Sequence, residues 1–66
     1  MNEVTRFMWY MYNHWSHNEA VALFGRNLGE HIYNKYLECG DTLLWYAELD
    51  GDCRQTIVDR ANATYE

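Results

Sequence analysis

A chain of 66 residues, 48% hydrophobic and 17% aromatic, without proline and with a net charge of −5, is one small domain near the lower limit of self-sufficiency. Its longest apolar run falls far short of the roughly 20 residues a membrane helix needs, so a spanning protein is excluded and a soluble one expected. The charge excess lies wholly from Glu38 onward, where seven acids face two arginines, a field that repels phosphate backbones and attracts basic surfaces.

The richest stretch is Phe7-Met8-Trp9-Tyr10-Met11-Tyr12, continued by Trp15. At helical spacing Val4, Phe7, Met8, Met11 and Trp15 form one stripe, which predicts a helix from about Glu3 to Asn13 or His14 with those five facing the core. A buried strand is the competing reading of so short a run, but the stripe extends past it in both directions. Trp9, Tyr10 and Tyr12 then lie on the flanks and back, where a partner is expected to cover them.

Ser16-His17-Asn18-Glu19 reads as a capping box, in which Ser16 accepts from the Glu19 amide and the Glu19 carboxylate reaches back to Ser16. Trp15 and Ala20 occupy the staple positions. A second helix, His17 to about Phe24, carries Val21 and Phe24 as core residues and ends at a left-handed Gly25. Arg26-Asn27-Leu28-Gly29 is expected to turn into a third helix, Leu28 to Glu38, with Leu28, Ile32 and Tyr36 as its stripe and Gly40 as its terminator. Asp41 caps a short helix over Thr42 to Leu49. Asp50-Gly51 is read as its break, and Asp52, with Gln55 at the third position, as the cap of a last helix with the stripe Ile57, Val58, Ala61 and Tyr65. The expected fold is all-α, a compact bundle of four to five short helices in a single domain over residues 1–66, with no repeats.

No residue set carries a catalytic signature. The one serine serves as a cap and neither Cys39 nor Cys53 has a motif around it, so no enzyme activity, catalytic residue or cofactor is expected. His14, His17, Cys39 and Cys53 lack the paired spacing of a zinc site. The run Glu48 to Asp59 resembles a calcium loop only loosely, with Cys53 where glycine is needed and Asp59 in place of a bidentate glutamate, and no metal site is expected. Asn62-Ala63-Thr64 is a chance glycosylation sequon in a chain that reads as having no leader. Two cysteines allow at most one disulfide, and their pairing is left open in what is expected to be a reduced, cytoplasmic protein.

What remains is a surplus of aromatic side chains and of acids. The expected function is non-catalytic binding by a small acidic module, a homo-oligomer and most simply a homodimer. It would dock on a basic surface of a partner protein through Trp9, Tyr10, Tyr12, Glu48, Asp50, Asp52 and Asp59. Its sharper form is an inhibitor of the kind viruses encode against host defences. One alternative is a nucleotide-like small molecule stacked at an aromatic dimer interface, with Arg26 and Arg54 as anion contacts. The other is a helix-turn-helix over Ser16 to Lys35, offering Arg26, Asn27, His31, Asn34 and Lys35 to DNA. Only two formal cations in that stretch of an acidic chain make nucleic acid the less expected partner.

Overall fold

In a computed structural model that describes residues 1–66, the chain is all-α, with five helices and no strand: α1 Glu3–Asn13, α2 His17–Phe24, α3 Arg26–Cys39, α4 Thr42–Glu48 and α5 Gly51–Tyr65. Four of the five helices start at a side chain that accepts from their free amides, and α3 starts at Gly25 without such a cap. Asn2 accepts from Thr5 at 2.8 Å and Ser16 from Glu19 at 3.2 Å, while Asp41 accepts from both Leu43 and Leu44 at 3.0 and 3.1 Å. Gly40, left-handed at φ 70°, closes α3 as its sequence predicts.

Three details of the helix ends differ from expectation, each for a local reason. Between α2 and α3 no four-residue turn is needed, because Gly25 alone, at φ 86° and ψ 169°, reverses the chain and α3 begins at Arg26. The capping box at Ser16 is only half made: the Glu19 carboxylate lies 3.7 Å from Arg60 of α5 rather than on the Ser16 amide. The last helix is capped by Asp50, not Asp52, since Asp50 Oδ1 accepts from the Cys53 amide at 2.9 Å. Gly51 is its first residue and Asp52 its second, while the Gln55 amide turns to Asp59 at 2.8 Å.

The helices pack as two pairs. α1 and α5 run side by side in the same direction, tied by Arg6 Nη1 donating to Asn62 at 3.1 Å and by the Tyr65 hydroxyl donating to the Trp9 carbonyl at 3.3 Å. α2 and α3 form a tight hairpin in which Ala20 packs on Gly29, and α4 leans on α3. The core between them is Phe7, Tyr10, Met11, Ile32, Trp45, Cys53, Ile57 and Ala61, with Trp15, Phe24, Tyr36, Tyr46 and Tyr65 packed around it. Trp15 reaches this core from the link after α1, its ring 5.5 Å from that of Trp45.

The α1 stripe is rotated relative to the sequence reading. Phe7, Tyr10 and Met11 are buried, whereas Val4 and Met8, expected inside, face solvent. α5 covers one side of the helix and leaves the other open, so Tyr10 is taken into the core and Val4 and Met8 fall outside its shelter. In α3 the outcome is similar: Ile32 is buried and Tyr36 half-buried, but Leu28 is exposed.

The caps offer a direct test of these boundaries. Asp50→Ala is expected to lower the melting temperature by about 4–8 °C, and Asp52→Ala by much less, because only Asp50 holds a backbone amide of α5. The Asp50 carboxyl is held below its ordinary value, chiefly by the bond from the Cys53 amide. A depressed folded value means this cap acts fully above the ordinary carboxylate range and is lost as pH falls through the folded value. Equal melting of the two variants at neutral pH would place the start of α5 elsewhere.

Candidate functional site

The aromatic surplus is largely absorbed by the fold. Of the eleven rings, Phe7, Tyr10 and Trp45 are buried and Trp15, Phe24, Tyr33, Tyr36, Tyr46 and Tyr65 are half-buried, roofing the core; only Trp9 and Tyr12 are exposed. Tyr10 is therefore not a partner contact: it is fully buried, its hydroxyl has no hydrogen-bond partner, and burial together with the Glu19 charge pushes its pKa far above the ordinary phenol value. Contact with a partner would require α1 to leave the core.

Trp9 and Tyr12 join Met8 around a shallow depression of about 260 Å³ on the outer side of α1. Tyr12 is 90% exposed and Trp9 52%. The backbone beneath them is fixed at the end of α1, where Asn13 donates to the Trp9 carbonyl at 3.0 Å and to the Tyr65 hydroxyl at 3.2 Å. Val4, one turn before Met8, continues this face, and beyond it lies Leu43 of α4 across a groove. Val4 and Met8 were not legible as surface, because the apolar run of α1 satisfies more than one helical stripe.

The expected acidic contacts lie on a different surface. Glu48 and Asp50, at the α4 to α5 junction, line a cleft of about 330 Å³ whose other wall is His31 and Lys35 of α3. Glu48, Asp50, Asp52 and Asp59 are all exposed. None takes part in an ion pair, in contrast to Glu19, Glu30 and Glu38. The aromatic depression and the acidic cleft share no residue.

The cations are engaged within the fold. Arg54 donates from Nη2 to the carbonyls of Ala47 and Leu49 at 3.2 and 2.9 Å and stands 5.3 Å over the Tyr46 ring, so it clasps the end of α4. Its Nη2 is thereby engaged by the chain's own backbone. Arg26 is exposed beside Glu30 at 3.9 Å, and Lys35 beside Glu38 at 3.6 Å. α2 and α3 are joined by a single-residue link where a helix-turn-helix has a turn of three or four, and both cations of α3 face carboxylates.

Cys39 and Cys53 are free thiols; Cys53 packs in the core, and burial, followed by the neighbouring Asp50, pushes its thiol up. No three His, Cys, Asp or Glu side chains converge as a metal cluster, and no helix is long and apolar enough to cross a membrane. Comparison with protein-family models, curated proteins and solved structures finds no match to this chain.

Proposed function

We propose that the protein is a non-catalytic binding module that docks its acidic α4 to α5 surface on a basic surface of a partner protein. The observation that carries this reading is the asymmetry of its charges. Arg6, Arg26, Lys35, Arg54 and Arg60 are each engaged by a carboxylate, an amide or backbone carbonyls, while Glu48, Asp50, Asp52 and Asp59 face solvent and form no ion pair. An uncompensated negative field of this kind steers basic surfaces toward it and selects among them. In its narrower form the carboxylates stand in for phosphates on the partner, making the protein an inhibitor of a nucleic-acid- or nucleotide-binding surface, of the type viruses encode against host defences. The setting proposed for it is the cytoplasm, where its two thiols stay reduced.

The test is binding kinetics against the partner isolated from host lysate. The variant carrying Glu48→Gln, Asp52→Asn and Asp59→Asn keeps the Asp50 cap and is expected to fold normally, since exposed charges contribute little to stability. Its association rate should fall several-fold, and wild-type binding should weaken with added salt. Association indifferent to salt and to all three substitutions would sink the reading, as would tight binding of duplex DNA at low salt.

A further inference from the structure

We propose that a second copy of this chain covers the outer face of α1, giving a two-fold dimer in which the two α1 helices cross antiparallel. α1 carries two adjacent apolar arcs. Phe7, Tyr10 and Met11 are spent on the core; Val4, Met8, Trp9 and Tyr12 point to solvent, with Leu43 of α4 beside Val4. The spacing i, i+4, i+5, i+8 places the four on one side of three turns.

Size and charge identify the occupant. With Tyr12 90% and Val4 65% exposed, and Trp9, Leu43 and Met8 contributing 52%, 56% and 36% of theirs, the patch is large for so small a protein. It presents about 600 Å² of largely apolar surface, at the upper end of what monomers leave uncovered and most of the ~800 Å² each partner contributes to a standard interface. None of the three residues around the depression is charged, so the basic partner drawn by the acidic junction has no electrostatic reason to settle here. Two copies that repel elsewhere through a net charge of −5 meet without like charges at the centre.

The face is also self-complementary. A two-fold axis across the middle of α1 brings Tyr12 of one copy to the Val4 and Met8 end of the other, so each exposed ring enters the other's apolar surface. Methionine beside aromatic rings is an adaptable lining for such an insertion. Antiparallel crossing also opposes the two helix dipoles.

Sedimentation equilibrium at micromolar concentration, without any partner, tests this. The wild-type protein should weigh twice 7.9 kDa, and raising the salt should leave that mass unchanged. Tyr12→Glu changes a side chain that contributes almost nothing to the monomer's core, so it should weaken the dimer by about a hundredfold or more with the helical circular dichroism retained. Trp9→Ser gives a second, independent reading. The variant with Glu48, Asp52 and Asp59 neutralised should remain dimeric, which separates this inference from the docking of the acidic surface. A monomer mass for the wild type, or a dimer untouched by both α1 substitutions, would overturn the proposal; so would a monomer that sediments with neutral phosphatidylcholine vesicles, which would give the face to lipid.

Discussion

Gly29→Ala is expected to lower the melting temperature by at least about 10 °C, or to prevent folding, although alanine is the better helix former by about 1 kcal/mol. A methyl group at this position would stand 2.6 Å from the Ala20 carbonyl oxygen and 2.7 Å from the Val21 Cα. Both are backbone atoms of α2, which cannot swing aside as a side chain could. The hairpin must open as a whole, at an overpacking cost of about 1–3 kcal/mol or more, and Ala20, fully buried on Gly29, would lose its contact in the process. Gly51→Ala supplies the contrast. Gly51 is the first residue of α5, nothing lies within 4 Å of its added methyl, and the substitution should raise the melting temperature by a few degrees. Two glycines replaced by the same residue should thus move thermal stability in opposite directions; if they moved it alike, α2 and α3 would not approach as closely as they do here.

Trp45→Ala is expected to cost about 3–5 kcal/mol, most of what a domain of this size has to lose. Trp45 is 2% exposed, its indole N–H donates to the Ile32 carbonyl at 3.3 Å, and its ring meets Tyr36 at 5.2 Å and Trp15 at 5.5 Å. Through these contacts it joins α4 to α3 and to the link after α1. Chemical denaturation should show the midpoint falling sharply, while Trp45→Phe, which keeps a ring and gives up only the N–H bond, should lose much less. A midpoint unmoved by the alanine substitution would mean that α4 is peripheral to the core.

Both residues illustrate what the sequence conveys and what it withholds. The existence of five helices was legible because every break carries its own chemistry: Ser16, Gly25, Gly40, Asp41 and Asp50-Gly51. The α2 limits, His17 to Phe24, follow directly from a cap at one end and a glycine at the other. Asp50-Gly51-Asp52 was harder, since two aspartates three residues from a free amide compete for one cap and a glycine looks like an ending when it is a beginning. The phase of α1 was hidden for a related reason. A helix apolar on nearly every side has no polar arc to mark its outside, so only the position of α5 decides that Tyr10 is inside and Met8 outside. Gly29 gave no local signal at all, because close approach of two helices is a property of the pair. The acids were legible as a charge excess but not as a surface separate from the aromatics, which takes three dimensions to see.

The pairing of α1 with α5 has a consequence for the order in which the molecule can form. Arg6 and Asn62 are 56 positions apart, as are Trp9 and Tyr65, while α2 and α3 are joined through one glycine. Contacts within the hairpin close a short loop and can form as soon as both helices exist; those between α1 and α5 must wait for a loop nearly as long as the domain. Throughout that interval Phe7, Tyr10 and Met11 have no cover, and the whole circumference of α1 is adhesive. During synthesis at about 5–20 residues per second the exposure lasts for seconds, long enough for chaperone capture or for aggregation between neighbouring chains. Slowed synthesis of α5 should therefore reduce the yield of folded protein more than slowed synthesis of α2.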